Sequence, residues 1–500
     1  MTRPIRLLAA LCLALCLASL ARAGDDRWYV VSLNGDKIGW MHERTRTDDD
    51  GHLVFSSTMT MHIARGAIDL ELEVRSSFTE TPEGEPVRMR GYQRMGSGPL
   101  ETRYVFDTDG VRVSTLQRGR TTTRNAPLPA DGWLTPGEVE EFVRKRIGAG
   151  AQTIEFSSID AATGLTPVSQ RWTFVGETNV EVFGKTVRAQ EWSVTESAAN
   201  TTSAVYLDDR GRELRMDVDL GGLKIEMLAA DEALARAPFD APEMMVDSLI
   251  VVDEDVPNAR ISRKASFVLR ATRDDPVDLY GLGVFHNGGV QRVERIEGEP
   301  GAVRVVVDMD NNRPVRVNDA LRAEALGAGA YIDPEDPGVA ALAQRAAGSS
   351  ADFDGLTTKQ KADHLERFVR GYVEHKSLGV GFATSAEVCR TREGDCSEHA
   401  MLLAALLRAH DIPARVATGL VYADGFMGER RIFGYHMWTQ ALVDEGDAEV
   451  WHDVDAAIGG MDATHITIDA STFADDDPVQ GMLDVVTVFG NLAIEVESVE

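Results

Sequence analysis

Short β-prone runs separated by turn dipeptides fill the first half of the chain and leave few folds open to it. Between about residues 28 and 232, these runs are rich in Val, Ile, Thr, Phe, Tyr and Trp. Asn-Gly and Asp-Gly pairs are strong local signals for a β-hairpin. They occur at Asn34-Gly35, Asp50-Gly51 and Asp109-Gly110. We therefore predict an antiparallel sheet, with strands that include residues 53–62, 68–78, 172–175 and 191–195.

One helix is predicted to interrupt these strands. Thr135 is a suitable N-cap, and Pro136 fits the first helical position. Glu138 completes a capping box, and Gly148 ends the helix. The helix belongs to a β-rich N-terminal domain that we place at residues 24–235.

Composition shifts divide the rest of the chain. The stretch 233–243 contains Pro238 and Pro242 and is typical of a linker. A smaller β-rich segment is predicted at 244–325, with strands near 265–271 and 303–307. Helical and strand patterns then follow from 330 to 500, with a core at 385–470. The expected fold class is α+β, with the β-rich antiparallel region first.

The stretch 1–23 resembles a secretory signal peptide. Arg3 and Arg6 precede an apolar run at 7–20, and Ala21-Arg22-Ala23 offers small residues at a cleavage site. The run is short for a membrane span, although an uncleaved anchor is the alternative reading. No other stretch is long and apolar enough to cross a membrane. We therefore expect an exported protein, periplasmic or extracellular, with no transmembrane segment after signal removal.

Charge and cysteine content exclude some classes of protein. Asp and Glu total 80 against 51 Lys and Arg, for a net charge of −29. Binding along nucleic-acid phosphates needs a basic surface, so no nucleic-acid partner is expected. Four cysteines are too few for a disulfide scaffold, and signal removal leaves only Cys389 and Cys396. A disulfide between these two is an alternative to a free thiol.

Metal motifs are poor, and we predict no metal site and no cofactor. The stretch that starts at Asp308 begins like a calcium loop, but Arg313 replaces the turn glycine and Asp319 replaces the final glutamate. The acidic run 475–477 is interpreted as a solvated loop. Four histidines lack ligand spacing and are interpreted as surface or strand residues: His42, His52, His62 and His286.

Cys396 is the first candidate for chemistry. Gly394 and Asp395 precede it, and residues 400–409 are strong helix formers with no breaker. The thiol is therefore predicted in the first turn of a helix. Free amides and the helix dipole favour a thiolate there, and the same amides can bind an oxyanion. A buried structural cysteine is the alternative.

Three strands are predicted after this helix, at 414–422, 435–443 and 449–455. If residues 444–447 form a four-residue hairpin loop, Val443 pairs with Ala448. His436 then lies directly opposite Asp455, with their Cβ atoms about 4.5–5.5 Å apart. Asp453 is on the same face, but it is diagonal to His436. The counting therefore favours Asp455 as the partner.

A carboxylate beside an imidazole is the orienting half of a catalytic triad. Asp455 would fix the tautomer of His436, which would deprotonate Cys396 and later protonate the leaving group. A surface His–Asp pair and a zinc site are the alternatives, although no paired CxxC or HxxxH accompanies these residues. His399 is interpreted as a polar residue of the first helical turn. We expect His452 and His465 to lie on the wrong face for this triad or to have no partner.

Three ordered motifs in this region resemble bacterial transglutaminase-like proteins. They are Glu393-Gly394-Asp395-Cys396-Ser397-Glu398-His399, then His436-Met437-Trp438, then Trp451-His452-Asp453-Val454-Asp455-Ala456. The resemblance covers roughly residues 330–480. It implies a papain-like α+β core, with Cys396 as nucleophile, His436 as general base and Asp455 as orienting carboxylate. The usual Asp-Pro-Thr ending of the family is Asp455-Ala456-Ala457 here.

Two functions remain open on sequence alone. The leading hypothesis is an exported cysteine enzyme that transfers acyl groups from peptide or amide bonds of a protein or peptide substrate. We expect hydrolysis in preference to crosslinking, because water is the default acceptor. The alternative is a non-catalytic protein of the cell envelope that uses its β-rich domains for binding or assembly.

Overall fold

A computed structural model describes most of the chain from Gly24 to Glu500. The described residues are 24–65, 68–95, 98–117, 120–129, 132–161, 164–197, 202–219, 223–243, 246, 248–272, 277–329, 331–377, 383–473 and 488–500. The predicted signal peptide and the acidic run 475–477 lie outside these residues. The described residues form two compact units: those from 24–64 and 69–242 make up the first, and those from 65–68 and 243–500 make up the second.

The first unit is an antiparallel sheet of fourteen strands in the described part of the chain. The strands are β1 (Asp26–Leu33), β2 (Asp36–Thr47), β3 (Leu53–Arg65), β4 (Ile68–Glu80), β5 (Pro86–Met95), β6 (Gly98–Asp107), β7 (Gly110–Gln117), β8 (Arg120–Ala126), β9 (Thr153–Asp160), β10 (Gly164–Val182), β11 (Lys185–Glu196), β12 (Thr202–Leu207), β13 (Glu213–Asp219) and β14 (Lys224–Ala230). Their order across the sheet is β8-β7-β6-β5-β4-β3-β2-β1-β14-β13-β12-β11-β10-β9. Sequential strands therefore pair from β1 to β8 and from β9 to β14, and the pairing of β1 with β14 joins distant parts of the chain.

The three hairpin signals are confirmed. Asn34-Gly35 joins β1 to β2, Asp50-Gly51 lies between β2 and β3, and Asp109-Gly110 leads into β7. The predicted helix is α1 (Pro136–Gly148), with the Thr135 and Glu138 capping box in place. A short helix, α2 (Glu232–Ala235), follows the last strand.

The second unit contains helices and two larger sheets. Its elements are β15 (Ile250–Val251), a 3-10 turn (Ala259–Ile261), β16 (Lys264–Ala271), α3 (Leu279–Leu282), β17 (Gln291–Arg295), β18 (Ala302–Asp308), α4 (Asp319–Leu326), α5 (Pro337–Gly348), α6 (Thr358–Tyr372), β19 (His375–Lys376), α7 (Ser385–Thr391), β20 (Glu393–Gly394), α8 (Cys396–Arg408), β21 (Ala414–Phe426), β22 (Glu429–Glu445), β23 (Ala448–Val454), β24 (Ile466–Ser471) and β25 (Leu492–Val499). One sheet has the order β15-β22-β21-β24, with β23 also paired to β22. The other has the order β17-β18-β16-β25.

Helix α8 lies at the centre of the second unit. Every residue from Ser397 to Arg408 is buried. The apolar side chains of the helix pack among those of α5, α6, α7 and strand β22. Thr439 on β22 donates a hydrogen bond to the Ala400 carbonyl of the helix (3.0 Å). This packing fixes the start of α8 relative to β22, which positions the residues described next.

No helix among the described residues has the length and apolar character needed to cross a membrane. The predicted order of a β-rich antiparallel region followed by an α+β cysteine domain is confirmed.

Candidate active site

Local sequence explains why α8 begins at Cys396. The Asp395 carboxylate accepts hydrogen bonds from the Ser397 amide (3.0 Å) and hydroxyl (2.8 Å), and the Glu398 carboxylate accepts from the Asp395 amide (2.9 Å). This is a capping box, which stabilises a helix start. A Cβ at Gly394 would lie 2.2 Å from the Glu398 Cβ, so only glycine fits there. Cys396 therefore occupies the first helical position, where free amides and the dipole favour a thiolate.

The buried side chain of Glu398 binds two backbone amides near the start of α8, a role that was not predicted from the sequence. Its second oxygen accepts from the Ala383 amide at 2.8 Å. Burial, and then the charge of Asp395, hold the pKa of Glu398 well above its usual range. The Glu at the third helical position is itself the signal for this capping role.

The structure brings together the three residues predicted to form the triad. The Cys396 thiol lies close enough to the ring of His436 on β22 to interact with it and raise its pKa. Nε2 of that ring lies 2.6 Å from Oδ2 of Asp455, which directly follows β23. Because Nε2 faces the carboxylate, Nδ1 is the nitrogen left for the thiol.

The predicted strand register is wrong by two residues. The hairpin loop is the pair Gly446-Asp447, with Gly446 at φ +67°, and Glu445 pairs with Ala448. Asp455 therefore lies beyond the last observed pair of the ladder and diagonal to His436. An error of two residues keeps both side chains on one face, so they still meet.

Burial and charge act in opposite directions on this pair. Burial opposes a charged imidazole, but the Asp455 carboxylate and the Cys396 thiol outweigh it and raise the pKa of His436 to about 9. Burial also opposes the charge of Asp455, but His436 and His465 hold its pKa far below the usual range. The carboxylate is therefore ionised, and His436 readily carries a proton in the folded protein.

His465 was wrongly expected to have no partner. Its Nε2 lies 3.2 Å from Asp455 Oδ2, and the residue is 2% exposed. It comes from the loop before β24, and its Nδ1 faces Asp462. The loop has no periodic pattern, so no sequence signal placed His465 at the site.

His399 is a first-turn residue as predicted, but it is buried, with 1% of its surface exposed. Its Nδ1 lies 2.6 Å from the Asp395 carbonyl, and its Nε2 has no hydrogen-bond partner among the described residues. Burial is the main cause of its lowered pKa. His399 is therefore a buried, neutral ring in the first turn of α8.

Both cysteines of this unit are free thiols. Cys389 on α7 is half-buried, and burial raises the pKa of its thiol. The Tyr372 hydroxyl donates to its carbonyl at 2.5 Å. The two thiols therefore have different surroundings: Cys396 interacts with His436, whereas the groups that act on Cys389 are Tyr372, Asp336, Arg345 and Arg390.

The remaining predicted histidines have other surroundings. His452 pairs with Asp363 at 2.8 Å. His286 is half-buried in a loop, and burial followed by the charge of Arg415 lowers its pKa to about 4. The other three lie in the first unit: His42 contacts Asp26 and Trp28, His52 contacts Asp48, and His62 contacts Phe239.

Two groups of side chains have the spacing of possible metal ligands. In the described residues, His436, Asp455 and His465 have ligand atoms within 4.8 Å of one another, as do Asp48, Asp50 and His52. The Asp455 oxygen already accepts from both imidazoles. The Asp48 carboxylate accepts from backbone amides of its own turn. We therefore interpret both groups as hydrogen-bonded clusters.

A cavity of about 290 Å³ lies beside Asp455. Its wall is rich in carboxylates from α6, β22, β23 and the turn after β18, and these have partners in the protein: Asp363 with His452, Glu366 with Arg370, Glu445 with Lys359, Asp453 with Trp438 and Gln440, and Asp310 with Arg263. The turn that begins like a calcium loop contributes Asp310 and Asn312 to this wall. Asn312 donates to the Trp451 carbonyl at 2.8 Å.

Comparison with known proteins identifies the domain around this site. Residues 341–456 match the family model of the transglutaminase-like superfamily. The second unit carries a transglutaminase-like domain. The sequence resemblance to this superfamily, and the α+β fold class that it implied, are confirmed. No curated protein matches the chain.

Several solved structures are similar to parts of the chain. A protein with a domain of unknown function from Brucella abortus is 12% identical, with 42% of this chain and 98% of that chain covered and a TM-score of 0.33. A candidate cysteine protease from Cytophaga hutchinsonii is 15% identical, covers 47% and 88%, and has a TM-score of 0.28. A candidate protease from Parabacteroides distasonis is 10% identical, covers 76% and 68%, and has a TM-score of 0.18. All three TM-scores are below 0.5, so we draw no conclusion about function from these similarities.

Proposed function

We propose that the protein is an exported cysteine enzyme that transfers acyl groups from peptide or amide bonds, with Cys396, His436 and Asp455 as its catalytic triad. One observation carries the proposal: the thiol at the start of α8 interacts with a buried imidazole, and Nε2 of that imidazole lies 2.6 Å from a buried carboxylate. This arrangement of nucleophile, base and orienting group is that of a cysteine hydrolase.

The first half of the reaction forms an acyl-enzyme. The Cys396 thiolate attacks the carbonyl carbon, and amides at the start of α8 are available to the oxyanion. The C–N bond then breaks, and the proton on His436 Nδ1 passes to the leaving amine. Asp455 keeps its charge throughout and stabilises the imidazolium of His436.

The acceptor decides the product. Neutral His436 takes a proton from the incoming group, which then attacks the thioester and releases Cys396 as a thiolate. Water gives a carboxylic acid, and an amine gives a new amide. We propose water as the main acceptor, because it is present at every turnover and needs no binding site of its own.

The test is activity profiling against peptide libraries, with and without a primary amine. Wild type and Cys396→Ala form the main comparison, and Cys389→Ser is the matched control because it removes the other free thiol of this unit. We expect Cys396→Ala to abolish turnover and Cys389→Ser to preserve it. Product masses distinguish hydrolysis from amine transfer.

A second measurement distinguishes the enzyme from a binding protein. Iodoacetamide labelling should modify Cys396 faster than a simple thiol between pH 5 and 8, and His436→Gln should remove the difference. If Cys396 labels no faster than a simple thiol, the triad is idle, and an envelope protein that binds through its β-rich unit becomes the better account.

Export has its own test. The N-terminus of the mature protein should begin at Gly24, and the protein should be found outside the cytoplasm. An intact Met1 on protein recovered from the cytoplasm would contradict this part of the proposal.

A further inference from the structure

Asp455 serves two imidazoles through one oxygen. Its Oδ2 lies 2.6 Å from Nε2 of His436 and 3.2 Å from Nε2 of His465. The two rings have centroids 6.0 Å apart, and both residues are buried. Any charge on His465 therefore acts on the same carboxylate oxygen that orients His436.

The far side of His465 is also held by oxygen. Its Nδ1 lies 3.1 Å from the Asp462 carbonyl and 3.5 Å from Oδ1 of the same residue, and the Asp462 amide donates to the same nitrogen at the longer distance of 3.4 Å. Thr464 fixes the Asp462 carboxylate through its amide (2.8 Å) and its hydroxyl (2.5 Å). The nearest neighbour of each ring nitrogen is an acceptor, an arrangement that favours a ring with hydrogen on both nitrogens.

Charge supports the same state. Burial opposes a charge on His465, but hydrogen bonds to Asp455 and Asp462 outweigh it and raise the pKa of the ring to about 9. The ring is therefore a cation at neutral pH.

The series of charges ends on Arg260, far earlier in the chain. Its Nη1 lies 2.8 Å from Asp462 Oδ2, and its guanidinium also donates to the Tyr422 carbonyl. The neighbouring Ser262 accepts from the Ala463 amide through its hydroxyl (3.2 Å) and its carbonyl (3.1 Å). The 3-10 turn at 259–261 thus holds the loop that carries His465.

The connected side chains alternate in sign when Cys396 is a thiolate. Their order is Cys396 (−), His436 (+), Asp455 (−), His465 (+), Asp462 (−) and Arg260 (+). This chain of charges sums to zero. Without His465 the centre would carry an excess negative charge, which buried sites disfavour.

We propose that His465 is a positioning residue of the cysteine site: held as a cation between Asp455 and Asp462, it limits how firmly Asp455 retains the proton on His436. The inference rests on the proposed function, because it assigns His465 a role in the work of His436. A base that keeps its proton too firmly cannot accept one from the attacking group.

Other titratable groups near the carboxylate do not change in the test. Glu366 and His399 interact electrostatically with Asp455, and Lys376 acts on His399. Comparing variants at a single position leaves these contributions in place.

The test is the pH dependence of Cys396 alkylation by iodoacetamide in the full chain, from pH 5 to 10. Wild type should show two steps, one for formation of the thiolate–imidazolium pair and one for loss of the His436 proton. His465→Gln keeps a donor near Asp455 and removes the charge. Two charges about 6 Å apart shift each other's ionisation by about 0.5–2 pH units, depending on the local dielectric. We expect the second step to move upward by that amount in His465→Gln.

His452→Gln is the matched control, because His452 also pairs with an aspartate but does not touch Asp455. It should leave both steps unchanged. If His465→Gln slows alkylation equally at every pH, or if His452→Gln moves the second step as far, His465 has no electrostatic role. If wild type shows only the single ionisation of a simple thiol, the proposed function fails and this inference fails with it.

A measurement on wild type covers the case in which His465→Gln does not fold. In protein with 15N-labelled histidine rings, His465 can be assigned through its contact with Trp438, whose ring centroid is 5.3 Å away. Both ring nitrogens should have imidazolium shifts at pH 7. A neutral His465 ring at that pH would overturn the inference.

Discussion

Replacing Asp455 by Asn would remove one charge from the centre of the site and keep the shape of the side chain. Oδ1 accepts from the Ala457 and Ile458 amides at 2.7 and 3.3 Å, and Oδ2 accepts from His436 and His465. Backbone amides can only donate, so the asparagine must turn its oxygen toward them. Its NH2 group then faces the two imidazoles.

This orientation forces the wrong tautomer on His436. Nε2 would have to accept from the new amide, so the hydrogen would move to Nδ1, the nitrogen that faces Cys396. A ring in that state cannot take the thiol proton. The corresponding change in serine proteases lowers the rate by about 10⁴ for this reason, and we expect a loss of similar order for turnover.

Stability should fall by about 3–5 kcal/mol at pH 7, because two charge-assisted hydrogen bonds are lost, each worth about 1.5–3 kcal/mol. The pKa values of His436 and His465 are raised to about 9 in the folded protein. Their stabilising contribution is complete below about pH 6.5 and disappears as the pH rises through 9. The stability difference between wild type and Asp455→Asn should therefore shrink above pH 9.

Denaturant unfolding at pH 7 and pH 10, together with alkylation of Cys396, measures both effects. Asp453→Asn is the matched control, since Asp453 is similarly buried but accepts from the neutral donors of Trp438 and Gln440. It should keep the reactivity of Cys396. Fast alkylation in Asp455→Asn, or a stability difference as large at pH 10 as at pH 7, would refute the reasoning.

Three further changes test other parts of the structure. Gly394→Ala should lower the free energy of unfolding by about 1–3 kcal/mol, because its Cβ would meet Glu398 at 2.2 Å; an unchanged melting temperature would contradict this. Thr439→Val should cost about 1 kcal/mol by removing the hydrogen bond to the Ala400 carbonyl, as thermal unfolding would show. In the first unit, burial and then the charge of Glu213 raise the pKa of Glu43 to about 8. The contribution of Glu43 to the free energy of unfolding is therefore present below about pH 4.5, and it is lost as the pH rises to 8. Glu43→Gln should flatten that decline in denaturant titrations at pH 5 and pH 8, and an unchanged slope would count against a buried, protonated Glu43.

Local signals account for the elements that the sequence predicted well. The helix at Pro136–Gly148 carries its capping residue, its proline and its terminal glycine within or next to its own span, and the three hairpin dipeptides join strands that follow one another. The pairing of β1 with β14 has no such signal. These two strands come from opposite ends of the first unit and meet only because the whole sheet brings them together. Hydrophobic alternation does not specify which distant edge a strand will find.

The candidate site divides in the same way. The predicted contact between His436 and Asp455 is present although the predicted hairpin loop was wrong. Side chains on a strand alternate between the two faces with a period of two residues, and the register error was also two residues. A one-residue error would have placed Asp455 on the opposite face and given the role to another side chain. No such alternation applies to His465, because it lies in a loop. The position of that loop depends on Arg260 and Ser262, which are distant in sequence. A sequence therefore reveals the part of a catalytic centre that lies on regular strands and helices. His465 comes from a loop, and only the folded chain brings it to Asp455.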